Sequence, residues 1–196
     1  MNEARNFIKN KKIAIDKLEN AKENDFVDEK IIKILDLINN SDNYYTTSSC
    51  SGRIVLLEIP LIGDKREAKF LGKWHNTITF GDLINGLNRA LKGQIWLLAQ
   101  SPILHLGTNS IDSADKMVNL AISSGFKNSG IKSLKKKYIV EICSTERLDS
   151  PIGHNGKVFC NDDHLNLLVD ISNEIYNKSS LKLKKLYKNM QSFKYL

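Results

Sequence analysis

The apolar residues keep a helical period as far as Ile38 and abandon it after a turn cluster at residues 39–43. Before that point Phe7, Ala14 and Leu18 fall near helical spacing among lysines, and Ile31, Ile34, Leu35 and Ile38 form an i, i+3, i+4, i+7 stripe. Such stripes set one face of each helix against a core, and Asp25 stands where a cap of the second helix belongs. Beyond Tyr44 the pattern is one of short runs divided by Gly, Pro, Asn and Ser, and it predicts strands at residues 44–49, 53–60, 71–79, 94–100, 103–107 and 138–144. A loop holds Gly63 and Asp64. Asp82 starts a short helix that Gly93 stops, and Asp112 caps another that Gly125 closes. Asp162 opens a long last helix with Leu165, Leu168, Val169 and Ile175 on its core face. Ser101-Pro102 breaks two strands apart, because proline cannot donate into a ladder.

This order predicts a mixed α/β protein whose economical form is a mixed sheet covered by helices. Strands are twice followed by a helix, which suggests a duplicated β–α unit, although no sequence repeat marks it. The 196 residues make one domain (1–196) or two tightly joined halves, enough to bury a core without staples. No apolar run approaches the roughly 20 residues that span a bilayer, and the first thirty residues lack a signal-peptide core. Cys50, Cys143 and Cys160 include no close pair, which points to a reducing, cytoplasmic setting and against a disulfide framework. His75, His105, His154 and His164 lack the spacing of a zinc site, so no metal is expected.

The formal charge of +7 is unevenly placed. No acidic residue follows Glu174, while Lys178, Lys182, Lys184, Lys185, Lys188 and Lys194 do. Lys132, Lys135, Lys136 and Lys137 make a second cluster, and Lys9, Lys11 and Lys12 a third. Clusters of this kind suit phosphate backbones, and equally a solvated lysine-rich surface.

Residues 44–53, Tyr-Tyr-Thr-Thr-Ser-Ser-Cys-Ser-Gly-Arg, carry seven hydroxyls and one guanidinium. An extended segment of this composition delivers donors to a strand end beside a fixed charge, which suits a phosphate, a carboxylate or a ribose; it also describes a polar edge strand. Lys73-Trp74-His75 offers a cation, a stacking plane and an imidazole able to act as a base. Tryptophan in a strand serves core packing as well. His105 sits inside an apolar strand, and Ser129 in the polar turn of residues 125–131. There is no G-x-S-x-G elbow, no P-loop and no G-x-G-x-x-G after the first strand, so a Rossmann-type methyltransferase is not indicated.

With these motifs the chain resembles the wybutosine-synthesising methyltransferase family. The likeness rests on residues 44–54, on Gly72-Lys73-Trp74-His75, on Pro102-Ile103-Leu104-His105, on residues 125–131 and on Pro151-Ile152, in one order over nearly the whole chain. It implies a three-layer α/β/α fold with a mixed sheet and internal duplication. It also implies methyl transfer from S-adenosylmethionine to N4 of a 4-demethylwyosine-type nucleotide beside the anticodon of tRNA(Phe), the nucleotide already carrying an aminocarboxypropyl arm. On that footing His75, Ser51 and Arg53 are the candidate catalytic groups. Ser49, Lys73, Trp74, His105 and Ser129 are candidates for cofactor or substrate, and Lys132, Lys135, Lys136, Lys137, Lys184 and Lys185 for tRNA. The residues alone leave two other readings open, a non-catalytic tRNA-binding protein and an enzyme acting on a free anionic small molecule.

Overall fold

A computed structural model of the protein describes residues 2–61, 66–135 and 137–192; Lys136, Lys194 and the loop at Gly63 and Asp64 lie outside them. The elements in chain order are α1 (Asn2–Glu23), α2 (Glu29–Asn39), β1 (Tyr44–Cys50), β2 (Arg53–Ile59), β3 (Lys69–Trp74), α3 (Phe80–Leu87), β4 (Gln94–Gln100) and β5 (Ile103–Thr108). They continue with α4 (Ile111–Ser123), β6 (Gly130–Ser133), β7 (Tyr138–Cys143), β8 (Arg147–His154), β9 (Lys157–Val158) and α5 (Asp162–Ser192). The class is α+β, without a Rossmann sheet. None of the described helices is long and apolar enough to cross a membrane.

The chain divides into two compact units. The first comprises Met1–Ser51, Pro102–Thr145 and Ser180–Leu196, and the second Gly52–Ser101 and Glu146–Ser179. The expected mixed sheet is replaced by two sheets, β1-β5-β7-β6 in the first unit and β3-β2-β4-β8-β9 in the second. All the pairings described in them are antiparallel. The physical reason lies in an inserted strand. Helix α4 joins β5 to β6, which run parallel, but β7 lies between them; α3 joins β3 to β4 across β2 in the same manner. The repeated strand–helix order is therefore a split β–α–β unit in each sheet.

In the first unit one face of the sheet carries Tyr44, Leu104, Leu106, Val140 and Ile142 into a core shared with α2, α4 and the last turns of α5. Alternation sends Tyr45 to the opposite face. There the ring of Phe7 from α1 meets it edge-on at 5.3 Å, and a side chain on Gly107, its cross-strand partner, would collide with the tyrosine ring. The unit is thus a helix–sheet–helix sandwich. In the second unit Ile54, Leu56, Ile95, Leu97 and Ile152 pack with Leu83 and Leu87 of α3 and with Leu165, Leu168 and Tyr176 of α5.

Phe126 is fully buried in the first core. Phe126→Ala is expected to cost about 3–5 kcal/mol, read as a fall in the midpoint of denaturant unfolding; a loss below about 1 kcal/mol would mean that this core closes around the gap.

Helix starts differ from the sequence reading in a consistent way. Asp28, not Asp25, precedes α2, and Asp25 takes a left-handed φ of 56°. Thr79 caps α3 in a capping box with Asp82 at the third position, and Ser110 rather than Asp112 caps α4. In each case an acidic residue of the turn or of the first helical turn has the composition of a cap without its position. Strand β3 ends at Trp74 rather than running to residue 79.

Candidate functional site

Strand β1 sorts its hydroxyls by face and by one irregularity. Tyr44 points inward, its hydroxyl donating to the Ser113 carbonyl at 3.0 Å. Thr46 returns inward and is held twice by the Asn39 amide, which accepts from its N–H at 2.9 Å and donates to its Oγ1 at 2.8 Å. After Thr46 the register shifts, so that Ser48 rather than Thr47 stands opposite His105. An inserted residue of this kind re-aims the side chains that follow it. Thr47 donates its hydroxyl to the His105 carbonyl at 3.1 Å.

A row of side chains then crosses the sheet. His105 pairs with Ser48 on one side and Glu141 on the other. Its Nδ1 lies 3.0 Å from the Ser48 Oγ, and its Nε2 2.9 Å from Glu141 Oε2. Lys132 closes the row at 2.6 Å from the second Glu141 oxygen. Burial pushes the Glu141 carboxyl up, but the hydrogen bonds and the charges of Lys132 and His105 together outweigh it and hold the group below the usual glutamate range. Because a carboxylate only accepts, Nε2 carries a proton, and in the neutral ring Nδ1 then accepts from Ser48.

Ser51, just past β1, is 3% exposed. Its N–H and its hydroxyl both donate to the same Asp28 oxygen, at 3.0 and 2.9 Å. Asp28 occupies the N-cap of α2 yet makes no side-chain capping bond to it. An aspartate in that position normally bonds the first helical N–H groups, so its carboxylate has been diverted to Ser51. Ser49 is exposed. Between α1 and β1 opens a cleft of about 430 Å³, walled by Ile13, Ala14 and Leu18 and floored by residues from Tyr45 to Ser49.

The remaining candidates of that motif belong to the second unit. Arg53 donates from Nε to the Gln100 side-chain oxygen at 2.7 Å, and its guanidinium carbon lies 5.9 Å from the centre of the Phe70 ring. The guanidinium is thereby held in one direction. Lys73 is exposed. Trp74 is half-buried against the core, its ring lying so close over Gly72 that any Cβ there would overlap it. His75 donates from Nδ1 to the Gly52 carbonyl at 3.1 Å, and its own carbonyl accepts from the Tyr176 hydroxyl. Gly52 has φ of 90°, a conformation that favours glycine. With its proton on Nδ1, the neutral imidazole has its basic lone pair on Nε2.

The other expected residues have local partners. The Ser129 hydroxyl donates to the Phe126 carbonyl at 2.7 Å and accepts from the Cys143 N–H at 3.2 Å, clasping the turn after α4 to β7. Lys132 is committed to Glu141. Lys135, Lys137, Lys184 and Lys185 are exposed in the first unit. Asp28, Glu141 and Gln100 were not among the residues singled out from the sequence. Glu141 did leave a signal, as the single carboxylate in an otherwise apolar strand, Tyr-Ile-Val-Glu-Ile-Cys.

Comparisons with known proteins agree over nearly the whole chain. Residues 9–192 match the family described as Methyltransferase TYW3. A protein of Pyrococcus horikoshii is 48% identical over 182 residues, 92% of this chain and 93% of its own, and is called tRNA(Phe) 7-((3-amino-3-carboxypropyl)-4-demethylwyosine(37)-N(4))-methyltransferase 1. A Methanocaldococcus jannaschii protein of the same activity name is 46% identical over 85% of this chain and 88% of its own. Among solved structures, the PH1069 protein from Pyrococcus horikoshii superposes with a TM-score of 0.92 at 46% identity, covering 97% of this chain and 98% of that one. A hypothetical protein from Aeropyrum pernix gives 0.73 at 28% identity, covering 86% of this chain and all of its own.

Proposed function

Since this chain belongs to the TYW3 methyltransferase family, we propose that it methylates N4 of a 4-demethylwyosine-type nucleotide bearing an aminocarboxypropyl arm in tRNA(Phe), with S-adenosylmethionine as methyl donor. The observation that carries this reading is the 48% identity to a relative of that activity name, extended over 92% of this chain and 93% of the relative. The α1–β1 cleft supports the donor's identity, since a hydroxyl-bearing floor and an apolar wall suit a nucleoside. The reaction takes place on tRNA in the cytoplasm.

A sulfonium donor supplies a methyl group that already has a good leaving group. What the protein adds is alignment, which can be worth several kcal/mol of the barrier, and a destination for the proton that leaves the acceptor nitrogen. His75 takes that proton on Nε2, its ring held by the Gly52 carbonyl. Asp28 fixes Ser51, whose hydroxyl orients bound cofactor or substrate together with Ser49. Arg53, aimed by Gln100, meets an anionic group, and the exposed part of Trp74 stacks on a ring system.

Lys135, Lys184 and Lys185 hold tRNA phosphates, while Lys137 lines the α1–β1 cleft and faces the ligand there. Replacing all three by glutamine is expected to weaken tRNA binding and to lower the slope of log affinity against log salt by about one unit for each phosphate that is no longer neutralised. An unchanged slope would leave these lysines as solvated surface. The reading as a whole is tested by calorimetry, where the full chain should bind S-adenosylmethionine saturably; no binding would favour a purely tRNA-binding role.

A further inference from the structure

We propose that Ser48, oriented by His105, Glu141 and Lys132, forms with Lys17 and Lys137 a subsite for an α-amino-acid head group at the α1–β1 cleft. The proposal deepens the methyltransferase reading and rests on it. Ser48 is the residue at which two independent features meet. It lines the cleft, and it is the first member of the hydrogen-bonded row that continues through His105 and Glu141 to Lys132.

The row dictates what Ser48 can offer. With Nε2 of His105 donating to Glu141, Nδ1 accepts the Ser48 hydroxyl hydrogen whenever the ring is neutral. The serine oxygen then presents only lone pairs toward the cleft. It is an acceptor without a donor of its own to give, and it selects a ligand N–H over a ligand carbonyl or carboxylate. A donated hydrogen bond also raises the basicity of that oxygen, since bonds in a chain polarise one another. An ammonium group fits such an acceptor best.

Two cations border the same cleft, Lys17 from the wall of α1 and Lys137 just before β7. An acceptor for an ammonium and cations for a carboxylate, in one cleft, match the two charges of an amino-acid head. The neighbouring apolar wall of Ile13, Ala14 and Leu18 suits the methylene chain that carries such a head. Two molecules in the proposed reaction end in this group, the methyl donor and the aminocarboxypropyl arm of the acceptor nucleotide.

Calorimetry on the full chain separates the two sources. S-adenosylhomocysteine is compared with 5′-methylthioadenosine, which lacks the amino-acid head, and precursor tRNA bearing the arm with precursor tRNA lacking it. Each pair is measured on the wild type, on Ser48→Ala and on Glu141→Gln, the latter a positioning change that keeps the side chain's shape. A ten- to hundredfold weakening is expected, the effect of one hydrogen bond to a charged group. If the donor supplies the head, the weakening falls on S-adenosylhomocysteine and spares methylthioadenosine. If the nucleotide arm supplies it, the weakening falls on the armed tRNA and spares the unarmed one. Equal weakening within both pairs, or none, overturns the subsite while leaving methyl transfer intact. A wild type that binds neither nucleoside and methylates neither tRNA overturns the methyltransferase reading and the subsite with it.

Discussion

His75→Ala is expected to lower the single-turnover methylation rate by about 10²–10⁴-fold, the range for a positioned general base, with tRNA affinity unchanged. The bond from Nδ1 to the Gly52 carbonyl sets the ring orientation and the tautomer, and the Tyr176 hydroxyl holds the His75 backbone. The lone pair of the neutral ring is therefore on Nε2, the atom that would accept the departing proton. His75→Gln retains a donor for Gly52 but has no basic nitrogen, so it should be as slow as His75→Ala while melting closer to the wild type. The measurement is a quench-flow time course on precursor tRNA at saturating methyl donor. A rate within threefold of wild type for both variants would remove His75 from proton transfer.

The second large effect is expected at Asp28. Asp28→Ala removes the acceptor that the N–H and the hydroxyl of Ser51 share, at a position only 3% exposed. Taking the partner from a buried donor costs about 1–3 kcal/mol, and water entering the space vacated by the carboxylate reduces that figure. A lower melting temperature follows, together with a fall of about a hundredfold in kcat/KM, since a displacement of about 1 Å in a positioning group can cost that much. Asp28→Asn separates the two consequences. Its amide oxygen still accepts from Ser51, so stability should recover more than activity if the charge serves the reaction. Full activity in both variants, measured with the same tRNA, would reduce the Asp28–Ser51 pair to a structural tie.

Much of this arrangement is legible in the chain. The stripe from Ile31 to Ile38, the runs at β2, β4 and β5, and the long last helix are strong periodic signals, and each folds as its period requires. The strands that the sequence does not reveal are those with weak ones. β6 has four residues and β9 two, and β8 contains Pro151 opposite Trp96 next to a register shift. Proline inside a run argues against a strand, and the irregularity is what accommodates it.

The site is legible in part for a related reason. Residues 44–53 and 73–75 announce themselves by local composition, and the structure gives most of them a definite partner. What composition does not convey is pairing. Asp28 lies 23 residues from Ser51 and Glu141 lies 36 from His105, and both pairings follow from register and helix placement. The shift after Thr46 alone decides that Ser48, not Thr47, faces His105. A one-residue change in register sends a side chain to the other face, which no reading of hydroxyl content can foresee.

The claim that joins these observations is methyl transfer to the wyosine-type base of tRNA(Phe). Its most direct test is mass spectrometry of nucleosides from precursor tRNA(Phe) incubated with the purified chain and S-adenosylmethionine. The arm-bearing tricyclic nucleoside is expected to gain the mass of one methyl group, with fragmentation placing it on the base at N4. An unmethylated tricycle after incubation with folded, tRNA-bound protein, or a methyl group on another nucleoside, would contradict it.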